Sequence, residues 1–208
     1  MRKSLLFSSW LLFLAGCSSQ PTMTESWGPL DSSASIACSA RLANSPKVAA
    51  SVLNANGFSL FNWNIQKGGN PAWVYDLRSL DSDPDLLILQ EAVAGTPASV
   101  GQVSDYFHSF AEGFSVGEWQ TGVMTTSTAE PLTECRLEAI EPWLGTRKAT
   151  LVTEYALTDS DETLLVVNIH GINFTLGLSA LQEQLRQVHA IIEQHTGPVL
   201  VAGDFNTW

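Results

Sequence analysis

The residues best suited to chemistry in this chain stand at the ends of apolar runs. Residues 198–202 form one such run, and it delivers Gly203, then Asp204 and Asn206 two positions apart around Phe205. The run over 86–89 ends in Gln90 and Glu91, the run over 166–169 passes through Asn168 to His170, and the segment 58–65 carries Asn64 near its end. A run of this kind reads as a buried strand, with the polar group at its exit on a sheet edge. A carboxylate in that position must reach water, a partner or a cation, because burying it alone is costly. Carboxylate and carboxamide oxygens hold hard divalent ions, and a histidine beside them donates to a phosphate oxygen or exchanges a proton near neutral pH. Gathered at one edge, the set suits hydrolysis of a phosphate ester. Each residue alone has a plainer reading. Asn62, Asn64 and Gln66 could be a solvated strand face, Glu91 the first residue of a loop, His170 a structural histidine, and Asp204 with Asn206 a turn. The chemical reading rests on all four positions recurring at the same place in their runs.

The elements that must position them follow from periodicity. Strands are predicted over 58–65, 86–89, 122–126, 132–140, 148–157, 163–170 and 198–202, with a polar turn at 158–162 marking an antiparallel hairpin. A helix is predicted over 72–80, entered through Pro71, and another over 97–108. The best helix places Leu178, Leu181, Leu185, Val188, Ile191 and Ile192 on one face against Glu183, Arg186 and Glu193. His189 and His195 fall in this helical stretch and His108 in a loop, apart from the strand-end set. Strands with a hairpin and two or three helices predict an α+β fold with a two-sheet sandwich flanked by helices.

Composition narrows the partners. The 208 residues are 45% hydrophobic, enough for a real core, and the formal net charge is −11 with no Lys/Arg cluster. That charge does not favour nucleic acid as a partner. Arg2 and Lys3 precede an apolar stretch over 5–14, too short to span a bilayer, which ends in Leu14, Ala15, Gly16 and Cys17. The stretch resembles a bacterial lipoprotein signal occupying residues 1–16, with Cys17 lipidated and Ser18 directing the product to the outer membrane. The expected location is the cell envelope, on the periplasmic face, attached to the membrane through that lipid. Cys38 and Cys135 then remain, either paired in an oxidising compartment or buried as free thiols. Residues 17–57, rich in Ser, Ala, Pro and Thr, read as a tether and loosely structured entry, and 58–208 as the domain.

In their order and spacing, Trp63-Asn64-Ile65, Leu89-Gln90-Glu91, the Ser/Thr-rich segment 122–127, the segment 166–174 around Asn168 and His170, and Gly203-Asp204-Phe205-Asn206 resemble the endonuclease/exonuclease/phosphatase superfamily. That superfamily includes deoxyribonuclease I-like nucleases, inositol polyphosphate phosphatases and sphingomyelinases, and the resemblance is strongest to a small bacterial family within it. It implies a four-layer α/β/β/α sandwich and metal-dependent hydrolysis of a phosphodiester or phosphomonoester. Asn64 and Glu91 would hold Mg²⁺ or Mn²⁺, His170 would bind the scissile phosphate, and Asp204 would position the attacking water with Asn206. Lys148, with Arg147 or Asn168, would contact the phosphate. Gln66 stands where many relatives carry an acid, which bears on whether one metal binds or two. The relatives end in an Asp-His pair after further strands, so by resemblance the chain is expected to be C-terminally truncated, to be a weak catalyst or none, and to leave a sheet edge unpaired. The rival expectation is a catalytically dead envelope lipoprotein that binds a phospho-ligand or a protein.

Overall fold

The computed structural model describes residues 32–46, 48–70, 72–79, 83–94 and 106–207; the leader and Cys17 lie outside the described residues. In chain order the elements are α1 (Ser32–Ala43), β1 (Leu60–Asn64), a 3₁₀ turn (Gln66–Gly68), α2 (Trp73–Arg78), β2 (Leu86–Val93) and β3 (Phe107–Val116). They continue with β4 (Trp119–Ser127), β5 (Thr133–Ile140), β6 (Arg147–Ala156), β7 (Thr163–His170), α3 (Ser179–Ile192) and β8 (Val199–Asp204).

Two four-stranded sheets form, ordered β1-β2-β4-β3 and β5-β6-β7-β8. Each is mixed: β1 runs parallel to β2 and β7 parallel to β8, while the other neighbours are antiparallel. Period-two alternation divides the apolar residues between the faces of each sheet. On β2, Leu87 and Leu89 pack with Trp73, Leu77 and Ile65 under α2, whereas Leu86 and Ile88 pack with Tyr155, Leu164 and Val166 of the other sheet. On β7, Leu165, Val167 and Ile169 pack outward with Cys38 of α1 and with Val188 and Ile191 of α3. Each such buried Leu, Ile or Val contributes about 1.5–3 kcal/mol. The layers are therefore α2, sheet, sheet, and α1 with α3, the predicted four-layer sandwich.

Two expectations are corrected. The entry segment is not loose: α1 packs on the outer face of the second sheet, Cys38 is disulfide-bonded to Cys135 with Cα atoms 5.6 Å apart, and Leu53 is buried in a parallel bridge to Leu157. The buried side of α1 is built from Ser35, Cys38 and Ser39, with Ala34 and Leu42 partly buried beside them, so its hydrophobic periodicity is faint in the sequence. The helix expected over 97–108 is also wrong where it can be seen. Phe107 and His108 begin β3, paired along its length with β4, and the rest of that span lies outside the described residues.

Candidate active site

The inner faces of β1, β2, β7 and β8 carry polar groups at the same end of the sandwich, because both parallel pairs finish there. Asn64 closes β1, and His170 sits in register with Asp204 at the ends of β7 and β8. Glu91 arrives differently. The register of β2 against β4 slips between Gln90 and Ala92, and Glu91 itself has φ +50°. A bulge of this kind re-aims one side chain without ending the strand.

Asn64 joins the sheets. Its Nδ2 donates to Asp204 Oδ2 at 2.8 Å and to Glu91 Oε1 at 3.4 Å, while its Oδ1 accepts from the Gln66 amide at 3.0 Å. The carboxamide thus turns its amino group, rather than its oxygen, toward the two carboxylates. Asp204 is fixed further by the Asn206 amide, which donates to Oδ1 at 3.0 Å, and Asn206 Nδ2 donates to the Gly171 carbonyl at 2.9 Å. The amide of Gly171 in turn donates to the Asp204 carbonyl at 2.7 Å.

The Lys67 ammonium pairs with Glu91 Oε2 and lies 5.5 Å from the centroid of the Phe114 ring. Partial burial is the largest influence on Glu91 and raises its pKa, but the Lys67 ammonium, the Asn64 amide and His170 together hold the carboxyl below its ordinary value.

His170 is buried, and its Nε2 lies 3.0 Å from Lys148 Nζ and 4.0 Å from Glu91 Oε1. An ammonium only donates, so Nε2 is the acceptor and the ring proton sits on Nδ1. Burial, then the Lys148 charge, push the ring down to about 4 against the opposing pull of Glu91, Asp204 and Glu141. His170 therefore accepts from Lys148 through Nε2 and keeps one ring N–H, on Nδ1. Lys148 is the donor, buried against Glu141, whose Oε1 is 3.6 Å away.

Together these residues line an open cleft of about 740 Å³, which also includes Leu144, Thr146, Asn173 and Phe174. Two expected contacts fall outside it. Asn168 is wholly buried between the sheets, where Nδ2 donates to the carbonyls of Leu89 and Met124 and Oδ1 accepts from Gln90, so its groups are already used. Arg147 is exposed on the opposite side of β6 and pairs with Glu138.

Lys67 and Glu141 were not anticipated. Glu141 follows β5, which alternates with Glu134, Arg136 and Glu138, so the continuous apolar run that marked Glu91 is absent there. Lys67 had no such signal, since its left-handed φ of +59° and its approach to Glu91 depend on the turn after β1.

Residues 61–208 match the endonuclease/exonuclease/phosphatase family. A UPF0294 protein of Photorhabdus laumondii is 35% identical over 158 residues, spanning 76% of this chain and 60% of its own length. A UPF0294 protein of Vibrio parahaemolyticus is 33% identical over 173 residues, spanning 76% and 57%. The chain thus spans 60% or less of the length of these relatives. An endonuclease/exonuclease/phosphatase family protein from Leptotrichia buccalis superposes with TM-score 0.54 at 11% identity, over 73% of this chain and 69% of its own, a likeness of fold.

Proposed function

The chain belongs to the endonuclease/exonuclease/phosphatase family, and from that premise we propose that the protein hydrolyses a phosphate ester in the cleft around Glu91, Asp204 and His170. Membership supports a phosphoesterase-type hydrolase. The observation that carries the assignment to this cleft is the Asn64 carboxamide, which ties Glu91 of one sheet to Asp204 of the other at adjoining strand ends.

The Glu91 and Asp204 carboxylates suit a divalent ion such as Mg²⁺ or Mn²⁺; Asn64 presents its amino group to them, so its carboxamide would have to turn over to add an oxygen. Glu91 offers a partly exposed carboxylate that already holds a cation, the Lys67 ammonium. Among the described residues no group of three or more His, Cys, Asp or Glu is placed to cage a metal, so an ion here would take most of its ligands from water. Glu91 would hold the ion with Asn64 beside it. When bound, it would neutralise charge on the phosphate and acidify a water. Asp204, fixed from both sides by Asn64 and Asn206, orients an attacking water. Lys148 offers a buried positive charge to a phosphate oxygen, and neutral His170 holds that ammonium in place. The protein acts on the periplasmic face of the envelope, attached through Cys17.

In a full-length protein carrying this domain, Mg²⁺-dependent release of nitrophenol from bis-p-nitrophenyl phosphate tests the proposal. Glu91→Ala and Asp204→Ala should each abolish it, and unchanged rates would remove the assignment. One observation favours a second reading, a module that binds a phospho-ligand without turnover: both cleft lysines are already engaged, Lys67 by Glu91 and Lys148 by His170 and Glu141. Saturable binding of inorganic phosphate with no hydrolysis would support that reading.

A further inference from the structure

The cleft opens between two loops without charge. Residues 142–146, after β5, and 171–179, after β7, contain no Asp, Glu, Lys, Arg or His, although the chain as a whole carries −11. Of the fifteen large apolar side chains exposed among the described residues, six fall within 140–144 and 174–178: Ile140, Trp143, Leu144, Phe174, Leu176 and Leu178. Exposed apolar residues scattered singly are ordinary, but a concentration on adjoining loops marks an interaction surface.

The loops are one structure. Buried Glu141 accepts from Thr146 Oγ1 on the first loop, and its Oε1 accepts from the amides of Asn173 and Phe174 on the second at 3.2 and 3.5 Å. Leu144 and Phe174 both line the cleft. Gly145 and Gly177 mark turn tips where an added Cβ would meet nothing within 4 Å, so both tips stand clear of the body.

The first turn of α1 lies on the same side. Ser45, just past α1, bonds Thr133 at 2.7 Å, and Cys38 is bonded to Cys135. Going back along α1 therefore follows β5 toward Ile140 and the charge-free loops. Fourteen residues separate Ser32 from Cys17, a reach of about 45 Å when extended.

We propose that this rim seats on a phospholipid bilayer, with Trp143, Leu144, Phe174 and Leu176 entering its interface. A neutral aromatic and aliphatic rim lets an acidic protein approach a phosphate-rich surface without repulsion, and aromatic side chains suit the headgroup layer. The seating brings a headgroup phosphodiester to the mouth of the cleft. Naming that phosphodiester as substrate rests on the phosphoesterase reading; the seating does not.

The test uses the full acylated chain in phosphatidylethanolamine/phosphatidylglycerol vesicles, with a polarity-sensitive fluorophore on one introduced thiol, from Leu144→Cys, Leu176→Cys or Asp161→Cys. Asp161 is exposed on the β6–β7 turn, at the far end of the strands. Labels at 144 and 176 should shift to the blue and be quenched by spin-labelled lipid, while the label at 161 stays aqueous. Vesicle-bound protein with all three labels aqueous would overturn the proposal. So would a blue shift at 144 without lipid that grows with protein concentration, which would give the rim to a second copy of the chain. The labels report seating whether or not turnover occurs. Seated labels without cleavage of vesicle phosphodiesters would overturn the substrate alone, and cleavage with aqueous labels the seating alone.

Discussion

Lys148 Nζ and His170 Nε2 lie 3.0 Å apart at the buried end of the cleft, and this contact makes Nε2 the acceptor and leaves the ring proton on Nδ1. The consequence is a pH dependence. His170 is pushed from its ordinary 6.5 down to about 4, by burial first and by Lys148 second. Between those values the unfolded chain binds a proton that the folded chain refuses, so stability rises with pH across the window. The contribution is fully present above the ordinary value and is lost as pH falls toward the depressed one, on the order of 3 kcal/mol in all. His170→Gln, which cannot titrate there, should show a flatter melting temperature across the same range. Equal slopes for the two proteins would show that His170 titrates normally.

Lys67 competes with any divalent ion for Glu91, because its ammonium occupies Oε2. Lys67→Met should tighten Mn²⁺ binding measured by calorimetry by about fivefold, equivalent to about 1 kcal/mol for removing a partly exposed ion pair. Weaker binding in the variant would mean that Lys67 supports the ion.

The disulfide between Cys38 and Cys135 closes a loop with a sequence separation of 97 and pins α1 to the second sheet. Its loss, by reduction or in a Cys38→Ala/Cys135→Ala double variant, should cost about 2–5 kcal/mol in urea unfolding. Melting curves that overlay with and without reductant would rule out a stabilising role.

Gly203 has φ +148°, and a Cβ there would sit 2.0 Å from the Ile169 carbonyl oxygen. Gly203→Ala should therefore push β8 off β7 just before Asp204 and destabilise the domain by about 3 kcal/mol. Urea unfolding indistinguishable from wild type would show that β8 yields there.

Much of this was legible beforehand, because β2, β6, β7 and α3 are buried deeply enough for apolar periodicity to dominate their composition. The ends of β2 and β7 named Glu91 and His170, and those of the less buried β1 and β8 named Asn64 and Asp204; the fold then brought the four together. What escaped depends on tertiary context. α1 buries small residues and a half-cystine, and β3 begins in a stretch whose residues suit either a helix or a strand. Protonation was equally out of reach: which ring nitrogen of His170 carries the proton follows only once Lys148 is seen against its Nε2. The orientation of Asn64, amino group toward the carboxylates, follows from the Gln66 amide, which claims its oxygen.

On the proposed function, Glu91 is the metal-holding centre of the cleft. It is tested most directly by adding Mn²⁺ below one equivalent and following side-chain amide signals by NMR. The amides of Asn64 and Asn206 should broaden first, those of Asn44 and Gln194 at the opposite end should stay sharp, and all four should stay sharp in Glu91→Ala. Broadening that survives Glu91→Ala, or that appears first at Asn44 or Gln194, would contradict the account.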